Sequence, residues 1–543
     1  MPPHARNPGS LPPTGGRTSA WDGPAPTLLT PVFLAVLLGS VSVAGFAPLE
    51  LFPLPILALA GLMRLWQAAP TPRGATLLGF GWGLGFFLTG VSWVYVSLHD
   101  VGGMAAPLAV IATVLFCCWL ALFPALAGYC YRRFITGGFW RDTLLFAGLW
   151  MLSEWLRGVL LTGFPWLALG YSQTPPSPLA GFAPVLGSYG IGLLAALIAA
   201  ALARGLRRRG AWLLILTLFG SGALLRGMDW TQPVGAPFSV SLLQGNIPQS
   251  LKWVPERLPL SIETYTRLAR ENPAALTVLP ETALPLFFHE LPREVLQALT
   301  QHGDVLVGMA VRHREGGYVN GAIAIQKDAV PPAPTLMAPR ARNPGSLPPT
   351  GGASAWGGPA PTLQSYAKQH LVPFGEYVPP GFAWFFGLVN IPMSDFSAGP
   401  ARQAPLAIAG QQIAANICYE DLFGEEIIRA LPQATLLINL SNTAWFGDSL
   451  AQPQHLQIAR LRALETGRMM LRATNTGITA AIAPDGRVLA ALPAFTSGAL
   501  RVDAQGFTGL TPYARWGNAL ALLLAICAVL PAFLQAYRQR RSR

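Results

Sequence analysis

Eight apolar stretches dominate the options open to this chain. They lie near 30–47, 52–67, 75–97, 105–130, 143–161, 179–203, 211–227 and 516–537. A bilayer-crossing helix needs about 20 predominantly apolar residues, because a backbone in lipid must satisfy its own polar groups. Most of the stretches approach that length, and the second, Phe52 to Trp66, is the shortest. Only 11% of the residues are charged and 52% are hydrophobic, whereas a soluble domain carries roughly 25% charged residues. The expectation is a polytopic membrane protein with eight spans. One long region, 231–505, is of a different material and separates the seventh stretch from the eighth.

The basic residues alternate between exits. Arg64 and Arg73 follow the second stretch, and Arg132, Arg133 and Arg141 follow the fourth. Arg204, Arg207, Arg208 and Arg209 follow the sixth, and Arg538, Arg540, Arg541 and Arg543 follow the eighth. The exits of the first, third and fifth stretches are nearly free of Lys and Arg. Cytoplasmic loops of membrane proteins carry the excess of Lys and Arg, so the even exits are predicted to face the cytoplasm and 231–505 to lie on the other side. The formal net charge of +12 is then a consequence of topology, and no nucleic acid partner is expected.

Residues 1–29, rich in Pro, Gly, Ser and Thr, are predicted to be a disordered tail and not a signal peptide. The piece Ala5–Gly16 recurs as Ala341–Gly352, and the match resumes at Pro361-Thr362-Leu363. A repeat placed once at a terminus and once inside a domain reads as an inserted element, so about 330–363 is expected to be a flexible insert without catalytic residues. The remaining divisions are 30–230, holding seven helices, and 506–543, holding the eighth and a basic tail.

Within 231–505, short β-prone runs alternate with helical patterns. Strands are predicted at Phe238–Gln244, Leu276–Leu279, Val305–Ala310, Gly321–Gln326, Gln412–Ile417, Thr435–Asn439, Ile478–Ala483 and Val488–Leu492. Helices are predicted near 255–271, 291–301, 420–430 and 453–470. This alternation implies a layered α/β domain.

Three segments within it carry candidate chemistry. In Asn416-Ile417-Cys418-Tyr419-Glu420 a cysteine sits where a strand hands over to a predicted helix, a position that lowers a thiol pKa and raises its nucleophilicity. Of five cysteines (Cys117, Cys118, Cys130, Cys418, Cys527), only Cys418 lies in this region, so it has no disulfide partner there, and no cluster suggests a metal. Taken alone it also reads as a buried small apolar residue. In Leu279-Pro280-Glu281-Thr282-Ala283-Leu284-Pro285 a carboxylate follows a strand between two prolines, and strand C-terminal ends are where α/β sheets gather function; the alternative is an exposed turn glutamate. In the segment from Tyr366 to Tyr377, Lys368 and Glu376 stand among Leu, Val and Phe. A lysine beside a cysteine favours thiolate and can donate to an oxyanion; the alternative is a surface strand with scattered charges. His370, in the same segment, reads as a satisfied histidine. In the fifth apolar stretch Glu154 and Arg157, three apart on one helix face, are expected to pair, or with the following Gly163-Phe164-Pro165-Trp166 to position a lipid headgroup.

A strand-end Glu, a downstream Lys and a Cys at a strand-to-helix elbow, in that order, resemble the nitrilase superfamily. LPETALP, YAKQHLVPFGEYVP, NICYEDLF and SNTAWFG, on a domain placed before the last of eight spans, resemble the apolipoprotein N-acyltransferase family. The resemblance covers about 30–330 and 364–537. It implies a four-layer αββα sandwich in the bacterial inner membrane, with the catalytic domain periplasmic. It also implies phospholipid-dependent N-acylation of the N-terminal S-diacylglyceryl-cysteine of apolipoproteins through a Cys thioester. By motif, Glu281 matches the general base, Lys368 the oxyanion-side lysine, Cys418 the nucleophile and Glu376 the second glutamate. Tyr419 and Glu420 flank the nucleophile, and Trp253, Trp445 and Phe446 match positions that shape the substrate pocket. The partners implied are a phospholipid donor, a diacylglyceryl apolipoprotein acceptor and the membrane, with the protein a monomer needing no cofactor and no metal. Two other readings stay open: a membrane-anchored amidase that passes the acyl group to water, and a transporter or sensor whose outer domain only binds.

Overall fold

The structure is a computed structural model that describes residues 29–205, 207–252, 255–312, 317–329, 364–379, 381 and 395–541. The predicted tail at 1–28, the insert at 330–363 and Trp253 lie outside the described residues.

The first half is helical. Its helices are α1 (Leu29–Ser42), α2 (Pro53–Ala68), α3 (Pro72–Gly90), the one-turn α4 (Trp93–Val96), α5 (Ala106–Phe134), α6 (Phe139–Val159), α7 (Ala183–Arg204) and α8 (Arg209–Leu225). Every apolar stretch marked in the sequence forms a helix. By length and composition, however, four helical segments among the described residues suffice to cross a membrane: Ala106–Phe134, Phe139–Thr162, Pro178–Arg204 and Ala519–Gln539. A fifth arises if Pro72–Gly90 and Trp93–Val101, bent by 52°, count as one span. Leu29–Gly45 and Arg209–Leu225 are shorter apolar helices. The expected eight spans are therefore eight helices in the expected places, of which four or five have spanning length.

Large apolar side chains on the outer faces, among them Phe33, Leu115, Leu216 and Leu523, are exposed, as a lipid-facing surface requires. Inside, small residues allow close approach. A Cβ on Gly79 of α3 would lie 2.4 Å from the Pro124 carbonyl oxygen of α5, so glycine sets the helix separation there.

The second half is built from two six-stranded mixed sheets. Its strands are β1 (Gln232–Gln244), β2 (Leu276–Leu279), β3 (Asp304–Arg312), β4 (Tyr318–Ile325), β5 (Gln364–Ala367), β6 (Leu406–Ile408), β7 (Gln411–Ile417), β8 (Leu436–Ser441), β9 (Met470–Thr474), β10 (Thr479–Ile482), β11 (Val488–Leu492) and β12 (Gly498–Thr508). One sheet has the order β12-β1-β2-β3-β4-β5 and the other β11-β10-β9-β8-β7-β6. Strands β1, β2 and β3 run parallel, as do β7, β8 and β9, with antiparallel strands outside each set. The helices of this half are α9 (Gln249–Lys252), α10 (Leu258–Glu271), α11 (Arg293–Thr300), α12 (Gly424–Ile427), α13 (Ala451–Thr466), α14 (Pro512–Trp516) and α15 (Ala519–Arg541).

Strand alternation explains the layering. Val240, Leu242, Leu276, Val278 and Leu306 meet Ile413, Ile417, Leu436, Ile438 and Leu471 in one core between the sheets. Their neighbours Leu243, Leu279, Val305 and Val307 point the other way, onto Tyr265, Leu268, Leu296 and Leu299 of α10 and α11. On the far sheet, Ala459 and Ala463 of α13 cover Leu437, Met470 and Ile482. Side chains that alternate faces with period two thus give the expected αββα order.

Helix α13 lies between that sheet and the helical bundle. Most of its polar residues are buried rather than solvated, and the bundle binds several of them. Gln454 Oε1 accepts from Trp166 Nε1 at 2.7 Å, and Gln457 Oε1 accepts from Ala47 N at 3.1 Å. Glu465 Oε1 accepts from Ser188 N of α7 at 2.8 Å and pairs with Arg462 at 3.0 Å. At the rim Arg460 pairs with Glu50 at 2.6 Å. Breaking a buried ion pair by removing one partner costs about 3–5 kcal/mol, whereas a partly exposed pair contributes about 1 kcal/mol or less. Glu465→Ala is therefore expected to lower the thermal unfolding midpoint of the detergent-solubilised protein clearly, and Glu50→Ala much less.

Candidate active site

Four functional segments converge where strands of the two sheets end. Glu281 follows β2, Lys368 follows β5, Cys418 follows β7 and Asn442 follows β8. The backbone is tight here: Thr282, Phe374 and Cys418 all have positive φ, at 43°, 63° and 53°. Non-glycine residues rarely adopt such angles, and where they persist the surroundings hold them.

The Lys368 ammonium is 1% exposed and sits between two carboxylates. Nζ is 3.3 Å from Glu281 Oε1 and 2.8 Å from Glu376 Oε2. Burial disfavours its charge, but Glu281 and Glu376 outweigh that, and its pKa is raised. Asn320 Nδ2 bridges the same carboxylates, donating to Glu281 Oε1 at 2.7 Å and to Glu376 Oε1 at 2.8 Å. The other Glu281 oxygen accepts from Asn442 N at 2.8 Å. Lys252 Nζ donates to Thr282 Oγ1 at 2.6 Å and to the Glu281 carbonyl at 3.2 Å, bracing the turn that carries the carboxylate. Burial pushes Lys252 down to about 8.

Cys418 is buried, and the charges of Glu281 and Lys368 both act on its sulfur. The sequence suggested a thiol activated by a helix N-terminus. The structure corrects this. Residues 418–422 form a 3-10 turn, followed by the one-turn α12 and a second 3-10 turn, rather than one helix over 420–430. Burial and the Glu281 charge push the thiol above its ordinary range, with Lys368 opposing. A thiol held neutral in this way needs an adjacent base to take its proton before it can act as a nucleophile.

Glu420 stitches the lysine and cysteine segments together. Its Oε1 accepts from Gln369 N at 2.7 Å and His370 N at 3.1 Å, and its Oε2 accepts from Ile417 N at 2.6 Å. The Tyr366 hydroxyl is 3.0 Å from both oxygens. His370 stacks on Phe423 at 3.6 Å between ring centroids, and its Nδ1 meets Glu426 at 3.1 Å, so it is a packed histidine on that side.

Tyr419 and the 442–447 segment reach the helical half. The Tyr419 hydroxyl donates to the Gly163 carbonyl at 2.7 Å. Phe446 packs on Trp93 at 4.6 Å and near Trp166 at 6.0 Å, and the Trp445 carbonyl accepts from Ser97 Oγ at 2.8 Å. Glu154 and Arg157 make no direct ion pair within 4.0 Å, contrary to expectation. Each instead binds the loop between α6 and α7. Arg157 donates to the Phe164 and Trp166 carbonyls and Glu154 accepts from Leu169 N. The guanidinium is buried and holds these carbonyls through Nη1.

The structure therefore brings Glu281, Lys368, Glu376, Cys418, Tyr419 and Glu420 together, and sets Trp445 and Phe446 at the junction with the bundle. Sequence reasoning missed Asn320, which stands in no segment distinguished by a turn or an elbow, and passed over Lys252, the neighbour of Trp253, because nothing local ties it to Glu281. Asn442 was in a quoted motif, but its main-chain N–H does the work, and no residue type announces that. Among the described residues no His, Cys, Asp and Glu group is arranged to hold a metal.

Residues 38–201 match the family model described as apolipoprotein N-acyltransferase N-terminal domain, and residues 239–513 match carbon-nitrogen hydrolase. The chain is 48% identical over 521 residues to an apolipoprotein N-acyltransferase of Nitrosomonas europaea, covering 94% of this chain and 98% of that protein. It is 43% identical over 544 residues to the one of Ralstonia nicotianae, covering 97% of each. Among solved structures, a Nesterenkonia AN1 amidase from the nitrilase superfamily aligns with a TM-score of 0.34 and 19% identity, over 53% of this chain and 97% of that one.

Burial pushes Glu420 up to about 7 from 4.5, against the donors that favour its charge. The folded protein therefore takes up a proton between about 4.5 and 7 that the unfolded chain does not. By linkage this group's contribution to stability is present below about 4.5 and is lost as pH rises to about 7. Glu420→Gln, which removes the titration, is expected to shrink the difference in unfolding midpoint between pH 5 and pH 7.5 relative to the parent.

Proposed function

This chain belongs to the apolipoprotein N-acyltransferase family, and from that premise we propose that it transfers a phospholipid acyl chain, by way of Cys418, to the α-amino group of an S-diacylglyceryl-cysteine at a lipoprotein N-terminus. It is an acyltransferase of lipoprotein biosynthesis and a bacterial inner-membrane protein. The observation that carries the mechanism is the buried Lys368 held between Glu281 and Glu376 beside the Cys418 thiol.

In the first half-reaction the Cys418 sulfur attacks the ester carbonyl of the donor while Glu281 takes the thiol proton. Negative charge gathers on the carbonyl oxygen, where a Lys368 N–H and the Tyr419 backbone N–H receive it. An ammonium has three donors, and the two carboxylates leave Lys368 one to offer. The ester C–O bond then breaks, Glu281 returns the proton to the departing lysophospholipid oxygen, and a thioester remains. In the second half-reaction the acceptor amine attacks the thioester and Glu281 takes a proton from nitrogen. The C–S bond breaks, an amide forms and Cys418 regains its proton.

The eight helices each cross the membrane in this reading, with the basic even-numbered exits cytoplasmic and the catalytic domain at 231–505 periplasmic. Each buried CH₂ is worth about 0.8 kcal/mol, so neither acylated substrate leaves the bilayer readily, and the site has to meet them at its surface. Contacts from Tyr419 to Gly163 and from Phe446 to Trp93 support an entrance at the junction of the two halves. The enzyme acts as a monomer.

Mass spectrometry after incubation with phospholipid alone is expected to find an acyl adduct on Cys418, absent in Cys418→Ala. Lys368→Met is expected to slow adduct formation by about 10²–10³-fold, the usual cost of losing one oxyanion donor. An unmodified Cys418 in active protein would overturn the mechanism. Release of free fatty acid without need of an amine acceptor would favour hydrolysis.

A further inference from the structure

Behind Cys418 lies a fully buried polar network that the mechanism above does not use. Arg472, on β9, donates from Nη1 to Asp421 Oδ2 at 3.0 Å and to Asn439 Oδ1 at 3.2 Å. Its Nη2 is 2.8 Å from His455 Nδ1. His455 Nε2 closes the triangle on Asp421 Oδ1 at 2.7 Å. All four side chains are at most 1% exposed.

Donor directions in this network are determined by chemistry. Arginine has no acceptor, so His455 Nδ1 must accept and its proton sits on Nε2, aimed at Asp421. The imidazole is therefore neutral, and Arg472 and Asp421 balance each other. Asn439 Oδ1 accepts from both Arg472 and the Ser441 hydroxyl, the latter at 2.6 Å, so its Nδ2 faces the other way as donor. That Nδ2 donates to Asn416 Oδ1 at 2.7 Å and to the carbonyl oxygen of Cys418 at 3.0 Å. An unbroken line of assigned hydrogen bonds thus runs from the Arg472 guanidinium to the backbone of the nucleophile.

The Cys418–Tyr419 peptide is trans. In a planar trans peptide the C=O and the following N–H point in opposite directions. Pinning the Cys418 carbonyl inward, onto Asn439, therefore turns the Tyr419 N–H outward, away from the network. The positive φ of Cys418 means that the elbow does not hold this orientation by local preference.

We propose that Asn439, held in register by Arg472 with His455 and Asp421, is a positioning residue that aims the Tyr419 N–H at the oxyanion of the acyl-transfer intermediates. The proposal rests on the Cys418 acyl-enzyme described above. Asn439 touches no reacting atom and acts only by rotating one peptide plane.

Asn439→Asp tests this. It keeps the shape and the acceptor for Arg472 and removes the Asn439 donor to the Cys418 carbonyl, a backbone on which His455 also acts. The acyl-enzyme would be formed from a phospholipid labelled with ¹³C at the acyl carbonyl, and its thioester stretch read by infrared difference spectroscopy. In the parent the stretch is expected below that of the same adduct after unfolding in denaturant, because the donors polarise the carbonyl. In Asn439→Asp the lowering is expected to shrink, and the rate of adduct formation to fall by about 10²-fold with the donor KM within about two-fold. Arg472→Lys keeps the cation but loses the planar fork, and is expected to act in the same direction; it is read by the same criteria if Asn439→Asp does not fold. An unchanged carbonyl frequency in a folded variant would overturn the proposal, whatever happened to the rate. A parent protein that forms no Cys418 adduct would strike the acyl-enzyme reading instead.

Discussion

One buried ammonium sets the terms of this active site. A lone Lys368 in that position would shed its proton to escape the cost of desolvation. Glu281 and Glu376 prevent that, and Asn320 ties the two carboxylates to each other. The carboxylates are in turn fixed by main-chain donors: Asn442 N for Glu281 and Val372 N for Glu376. One ammonium offsets one of the two carboxylates, and the neutral donors of Asn320, Asn442 and Val372 stabilise the charge that remains beside the Cys418 thiol.

The two halves of the molecule meet through polar contacts that are individually ordinary and collectively specific. Bundle loops offer main-chain groups at Ala47 and Thr174, α7 offers Ser188 N, and α13 answers with Gln457 and Glu465. Glu154 and Arg157 perform a similar service from within the bundle, holding the loop from Phe164 to Leu169. That loop then supplies the Gly163 carbonyl to Tyr419 and the Trp166 ring to Phe446. An unbroken path of packed and hydrogen-bonded groups therefore joins α6 to the residue next to Cys418.

Much of this was legible in the chain, and the gaps have physical causes. Strands β2 and β11 were found at their observed limits because their apolar runs end abruptly in turn residues. Strand β9 was missed: the helix expected over 453–470 runs onto its first residue, and 471–474 were assigned to no element. The helix ends at Thr466, where Gly467 takes a left-handed conformation with φ 62°, the usual glycine stop. Arg472 inside β9 also masked an otherwise buried strand, since its partners Asp421 and His455 come from distant segments. The same cause hid the meaning of α13: a helix whose polar residues are nearly all buried has no amphipathic signature. Glu281, Lys368 and Cys418 could be picked out because catalytic residue types stood at strand ends, a local signal. The network behind Cys418 gave no such signal, because only the fold brings it together.

The burial of α13 also bears on how this enzyme can be handled. Gln454, Gln457, Arg462 and Glu465 lie on a surface that exists only while the bundle covers it. Cutting the α/β half free to obtain a water-soluble fragment would strand those groups beside newly bared apolar neighbours. Inhibitor screens and crystallisation trials built on such a fragment would be working with a different material. A usable soluble version would first have to be redesigned along that one helix, with its outward positions rewritten for water.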